Sequence, residues 1–200
     1  SVTSMTGMKI EFDKLGIDLL LAGSQKAFAL PPGFSVFTAS QAALERATTI
    51  NDRGYYFDLI EFQKNAEKSM TPSTPSIGHI YALKSKLEDF MEEGLTKRFE
   101  RHSNLSKMTR DWATNQGFTI FPEAGYESST LTCVNNGAKS GGREVDVVKL
   151  QELMKERGIL IDSGYGKLKG KTFRLSNMGD ETNETMESLY ALLDESLNQL

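Results

Sequence analysis

Two hundred residues with 38% hydrophobic side chains suffice for a sizeable core, in one large domain or two small ones. A net charge of -4, a pI near 5.3 and scattered Lys and Arg argue against nucleic acid or an anionic membrane as a partner. No apolar run approaches the roughly 20 residues of a membrane span, and the single Cys133 excludes an internal disulfide framework and suits a reducing compartment, so the chain reads as soluble and cytoplasmic.

The amino terminus, Ser1-Val-Thr-Ser, has no initiator Met, basic segment or apolar segment, and so reads as neither a translation start nor a signal peptide. Ile17 to Ala22 is a short apolar run bounded by Gly16 and Gly23-Ser24, the pattern of a strand buried on both faces. Phe34 to Thr38 alternates and follows Pro31-Pro32-Gly33, so it is expected beside the first strand. Ser40 caps a short helix, SQAALERATT, without a full capping box. Tyr55 to Lys68 carries a mixed signal and no assignment.

From Ser76, apolar residues at Ile77, Ile80, Tyr81, Leu87, Phe90 and Met91 recur at helical spacing up to Gly94. A second long helix is expected from Leu95 to about Asn115, stopped by Gly117. Phe118 to Phe121 and Thr130 to Val134 then read as strands, Val145 to Arg157 as a helix, and Ile159 to Ile161 and Lys171 to Ser176 as strands. Glu181 to Leu197 closes the chain as a helix with Met186, Leu189, Tyr190, Leu193 and Leu197 on one face. The last hundred residues therefore suit a small α+β domain. The first forty offer too few elements for a complete doubly wound domain, so the chain resembles the second half of something larger.

Lys26 stands alone in LLLAGSQKAFALPPG, residues 19–33. A strand-end lysine that reaches solvent is the ordinary reading. Small Ala27 and Ala29 and the neutral Gln25 beside it also suit an amine kept uncharged, which is what nucleophilic or proton-transfer chemistry requires. Arg174, between Phe173 and Leu175, has the planar fork that binds a carboxylate bidentately, although an arginine in a late strand is more often a surface ion-pair partner. Gly164-Tyr-Gly-Lys-Leu-Lys-Gly has the wrong spacing for a dinucleotide fingerprint and reads as a hairpin or gate loop. Ser140-Gly-Gly-Arg143 reads as a flexible turn, Cys133 as core, and the isolated His79 and His102 give no metal-ligand spacing.

The string Ser24-Gln-Lys-Ala-Phe-Ala-Leu-Pro-Pro-Gly33, preceded by a Gly-Ile-Asp-apolar strand, closely resembles the Schiff-base segment of class V aminotransferases. These are fold-type I pyridoxal-phosphate enzymes, and the likeness is greatest to the alanine–glyoxylate and serine–pyruvate group. Val2-Thr-Ser, Thr71-Pro-Ser-Thr-Pro with Ile80-Tyr-Ala-Leu, and Phe173-Arg-Leu-Ser-Asn-Met-Gly have counterparts in the same order. The resemblance implies an α/β fold comprising the C-terminal part of a fold-type I transferase. Residues 1–99 would be the remainder of the large, mixed-sheet cofactor domain, and residues 100–200 the small α+β domain.

It also implies roles. Lys26 would hold pyridoxal 5'-phosphate as a Schiff base and move the substrate α-proton; Gln25 would hydrogen-bond the cofactor's phenolic oxygen, and Val2 would pack on its ring. Thr74, with Thr71 as second choice, would contact the phosphate of a neighbouring subunit's cofactor, so a homodimer with shared sites is expected. Arg174 would clamp the substrate α-carboxylate. The implied reaction moves an amino group from an alanine- or serine-type donor to a 2-oxo acid such as glyoxylate or pyruvate, with no metal. The family's pyridine-nitrogen aspartate, phosphate loop and stacking aromatic are expected upstream of Ser1. The competing readings are a phosphoserine aminotransferase, a cysteine desulfurase (which would place His rather than Gln25 before the lysine), and a non-catalytic half-chain that only dimerises.

Overall fold

The computed structural model describes the backbone of residues 1–200 and every side chain but that of Ala138. The chain forms two compact units, one made of residues 1–5 and 9–93 and the other of residues 6–8 and 94–200.

In the first unit, β1 (Leu19–Gly23) and β2 (Ser35–Ala39) pair antiparallel, with Leu21 opposite Phe37 and Ala22 opposite Val36. Three helices follow: α1 (Gln41–Thr48), α2 (Leu59–Ala66) and α3 (Ile77–Glu93). Ala22 and Phe28 pack with Phe90 of α3, joined by Met5, Val36 and Leu83. The other face of the sheet is covered only in part, where Phe37 meets Phe62 of α2 edge-on at 5.1 Å between ring centroids. Leu19 and Leu21 remain 47% and 45% exposed, which corrects the expectation of a strand buried on both faces. The run is uniformly apolar, but alternate side chains of a strand point to opposite faces, and only the Ala22 side meets α3.

The helix starts follow local chemistry. Ser40 caps α1 by accepting from the Ala43 N–H at 3.0 Å, and its own hydroxyl donates to Asp18 at 2.7 Å. Asp58 caps α2, which sequence left unassigned: its carboxylate accepts from Ile60 N–H at 3.0 Å and from Arg53 Nε at 2.9 Å.

The second unit holds α4 (Leu95–Asn115), β3 (Thr119–Ile120), β4 (Leu131–Asn135), α5 (Val147–Glu156), β5 (Thr172–Ser176) and α6 (Asn183–Leu197). The sheet is antiparallel in the order β3-β4-β5. Its one face carries Val134, Phe173 and Leu175 into a continuous core with Leu105, Trp112, Leu150, Met154, Met186 and Leu193 from the helices. Each fully buried large apolar side chain contributes about 1.5–3 kcal/mol. Polar ties cross the same core: Trp112 Nε1 donates to Asp194 at 2.8 Å, and the Thr109 and Tyr190 hydroxyls lie 2.8 Å apart. Gly117, at φ +83°, ends α4. Phe118 N–H then returns to Ala113 O at 2.9 Å, a Schellman-type closure.

Two expectations fail here. Ile159 to Ile161 is not a strand. Ile159 and Ile161 pack on the core and Leu160 is 82% exposed, as alternation predicts, but the Ile161 carbonyl accepts from Gln151 Nε2 instead of joining the ladder. Only Asp162, one residue on, bridges to Arg174 of β5. Nor is Ser140 to Arg143 a loose turn. A Cβ on Gly142 would come within 3.1 Å of Thr119 N, and Arg143 donates to Gln116 Oε1 and to Leu197 O at the ends of α4 and α6. A cation at helix C-termini is favoured by the helix dipole.

Candidate active site

Lys26 sits on a tight turn directly after β1. Ser24 closes that turn: its hydroxyl donates to Pro31 O at 2.8 Å, its N–H to Phe34 O, and its carbonyl accepts from Leu30 N–H. Ala29 N–H returns to Lys26 O at 2.8 Å, and Ala29 itself holds φ +57°. A left-handed alanine costs about 1–2 kcal/mol, so the surrounding bonds must impose the shape. Buried Ala27 and Phe28 anchor the turn from below. Lys26 itself is half-buried rather than enclosed by apolar groups, and its Nζ has no hydrogen bond or ion pair among the described residues.

Gln25 is exposed and folds back over Gly23, where an added Cβ would lie 2.6 Å from its Oε1. That glycine therefore leaves room for the amide beside Lys26. Val2 is 41% exposed in the N-terminal turns, with an apolar face left uncovered. Thr71 and Thr74 are exposed on the loop before α3, and Thr71 spends its hydroxyl on Ser73 O at 2.6 Å.

His79 links that loop to the lysine turn. Its Nε2 donates to Pro32 O at 3.2 Å, and its Nδ1 shares a 2.7 Å hydrogen bond with the Ser76 hydroxyl. Its ring fills the space a Cβ on Gly33 would take, and Phe34 meets it edge-on. Sequence reading found His79 only as a lone histidine. Its partner is a backbone carbonyl 47 residues earlier, which no local spacing reveals.

In the second unit, Arg174 lies on the sheet face opposite the helical core, across from Cys133 in the β4–β5 register. This corrects the placement of Cys133 in the core: Thr132 and Val134 point inward and Cys133 is half-buried beside Arg174. Burial pushes its thiol pKa up, against smaller opposing effects of Thr172 and Arg174. Arg174 Nε donates to Asp162 Oδ1 at 2.8 Å, Nη2 forms an ion pair with the same oxygen at 2.8 Å, and the guanidinium carbon stands 4.3 Å from the Tyr165 ring centroid. Burial works against the guanidinium's charge, but Asp162 and Tyr165 outweigh it and hold the pKa above its ordinary value. The glycine-rich segment is a closed loop with a single 3-10 turn at Gly166–Leu168, not a hairpin. The sequence gives Asp162 no role, and Tyr165 only a place in the glycine-rich loop. Asp162-Ser-Gly is a turn signal that falls between the expected Ile159–Ile161 strand and the glycine-rich segment.

A family profile for aminotransferase class-V matches residues 1–179. The chain belongs to the class-V aminotransferase family. An uncharacterised aminotransferase of Methanocaldococcus jannaschii is 32% identical over all of this chain and 51% of its own length. The serine–glyoxylate aminotransferase of Arabidopsis thaliana is 30% identical over 90% of this chain and 44% of its own. A solved alanine–glyoxylate aminotransferase from Nostoc sp. superposes with a TM-score of 0.87 at 29% identity, over 98% of this chain and 52% of that one. This class-V chain thus spans about half the length of the curated relatives it matches. No helix among the described residues is long and apolar enough to cross a membrane, and no cluster of metal-ligating side chains is found among them.

Family members depend on pyridoxal phosphate, and the residues present fit that group. An amine without a counter-ion stands on a rigid turn, an amide occupies the room left by Gly23, and Val2 offers an uncovered apolar face.

Proposed function

We propose that this chain carries part of the machinery of a pyridoxal-phosphate-dependent aminotransferase acting between an alanine- or serine-type amino acid and a 2-oxo acid such as glyoxylate. The observation that carries the reading is the Lys26 turn: a strained, over-determined loop that presents one half-buried, unpaired amine. Active-site backbones commonly hold such strain, because fixed geometry is worth more to the reaction than local stability.

Lys26 would hold the cofactor covalently, Gln25 would donate its amide to the phenolic oxygen, and Val2 would cover one ring face. Thr74, or Thr71, would bind phosphate in a neighbouring copy's site, which makes a homodimer part of the proposal. The bound cofactor supplies the electron sink for charge developed at the substrate Cα. Once substrate has taken its place, the Lys26 amine is free to remove the proton from that Cα as general base. The Lys26 amine would then carry that proton and release it to complete amino transfer. Arg174 binds the α-carboxylate, whose geometry its planar fork matches. The assignment of cofactor binding to residues 1–99 and of carboxylate binding to residues 100–200 belongs to the same proposal, as does a cytoplasmic setting.

Desulfuration is disfavoured by Gln25 in place of the expected histidine. It is disfavoured too by Cys133, whose raised pKa keeps it a thiol and which is fixed in a strand. The test is amino transfer from alanine or serine to glyoxylate. Lys26→Ala should lower turnover by about a thousandfold or more, and Arg174→Lys should raise KM for both substrates by about 10- to 100-fold. Turnover that survives Lys26→Ala unchanged contradicts the proposal.

A further inference from the structure

We propose that Asp162 is a positioning residue that, with Tyr165, locks the Arg174 guanidinium so that its Nη1 side is presented to a carboxylate. This rests on the reading of Arg174 as the carboxylate clamp and adds the group that aims it.

A single oxygen, Asp162 Oδ1, accepts from Arg174 Nε at 2.8 Å and from the Gly164 N–H at 2.7 Å, and stands 2.8 Å from Arg174 Nη2 as its ion-pair partner. The backbones are tied as well, with Arg174 N–H donating to Asp162 O at 2.8 Å. The carboxylate is therefore itself pinned, by two donors, the ion pair and its chain, and cannot swing away with the arginine. Tyr165 covers one face of the guanidinium plane at 4.3 Å. Together they fix the position of the fork, its rotation and its plane.

What remains follows from the donor inventory. Guanidinium has five N–H groups and two edges that accept a carboxylate side by side. Asp162 takes the Nε/Nη2 edge. Nη1 makes no hydrogen bond among the described residues, and the end-on Nη1/Nη2 edge still has two N–H groups to offer. A long arginine side chain free to explore rotamers would lose that freedom on binding; one already held loses none, and binds more tightly for it. The loop that carries Asp162 and Tyr165 is itself held to β5. A Cβ on Gly164 would meet Thr172 Oγ1 at 2.5 Å and Leu168 O at 2.8 Å, so the turn has room for glycine alone. An acidic residue on a cationic anion site is otherwise a poor choice, since its charge opposes the incoming carboxylate. The gain must be orientation.

The experiment is a titration of the protein, labelled with 15N-arginine, with pyruvate as the carboxylate probe, followed at the arginine Nε–H signals. The Arg174 signal is identified by its loss in Arg174→Lys. A sharp, dispersed signal that shifts with pyruvate is expected for the native protein. Asp162→Ala should collapse that dispersion and raise the pyruvate Kd by about tenfold, with part of the affinity restored in the isosteric Asp162→Asn. Tyr165→Leu, a change at an exposed position, should give a smaller rise with Asp162 intact. In turnover the Asp162→Ala effect should fall on KM, with kcat largely kept. A Kd unchanged or lowered by Asp162→Ala would overturn the inference while leaving Arg174 its role. Pyruvate that shifts no arginine signal in the native protein would overturn both.

Discussion

The two units of this chain bury their apolar residues very differently. The second encloses one continuous core, with Leu105, Leu150, Phe173 and Leu193 out of reach of solvent. The first has a small core around Ala22, Phe28 and Phe90, and leaves Leu21, Phe37, Tyr81 and Met91 exposed. The residue proposed for covalent chemistry, Lys26, thus stands on a strained turn over a small cluster. The residue proposed for binding, Arg174, stands on a sheet backed by a full core. Stability is not uniform across a fold, and the difference predicts that the lysine turn opens more readily than the arginine strand.

The contrast can be broken most directly in the core. Phe173→Ala should destabilise the second unit by about 3–5 kcal/mol, seen as a lower midpoint in urea. Phe90→Ala, in the smaller cluster with more freedom to collapse, should cost less and leave hydrogen exchange in β4 and β5 unchanged. Equal losses at both sites would contradict the contrast. At the turn, Ala29→Gly should relieve the left-handed backbone and stabilise the first unit by about 1 kcal/mol; a loss there would show that the alanine is not strained.

Titration sharpens the same comparison. In the first unit, the Arg53 guanidinium holds the Asp58 carboxyl below its ordinary value, with the Ile60 N–H adding to this against the cost of desolvation. A depressed carboxyl contributes stability that is present above its unfolded pKa of 3.8 and lost as pH falls through the folded value. Start of α2 should therefore fray below pH 3.8, and Asp58→Asn should remove that dependence. In the second unit, Cys133 behaves with the opposite sign. Its raised pKa gives stability that is full below 9.0 and is lost as pH rises through the folded value. Alkylation of Cys133 by iodoacetamide should be slow at neutral pH, with a midpoint above 9.0, and should accelerate on unfolding.

Local signals were enough for much of this. Periodicity and caps place α1, α3, α4 and α6, and Gly94 and Gly117, both at positive φ, stop helices where glycine permits the turn. What sequence could not show depends on distant partners. The Ile159–Ile161 segment alternates like a strand, yet Gln151 takes the carbonyl the ladder would need. Asp58 reads as a cap only when Arg53 and Ile60 are seen around it. The turn that presents Lys26 and the strand that carries Arg174 were legible through the residues that flank them. Asp162, twelve residues from Arg174, and His79, whose bond is to Pro32, were not, because side chain and partner meet only in the folded chain.

The central claim is that Lys26 carries pyridoxal phosphate. Borohydride reduction of the protein after addition of pyridoxal phosphate, followed by peptide mass mapping, tests it without a substrate. The account predicts a pyridoxyl group on Lys26 in the peptide that runs on to Pro31-Pro32-Gly33, and its absence in Lys26→Ala. An unmodified Lys26, or an adduct spread over surface lysines in its place, would contradict it.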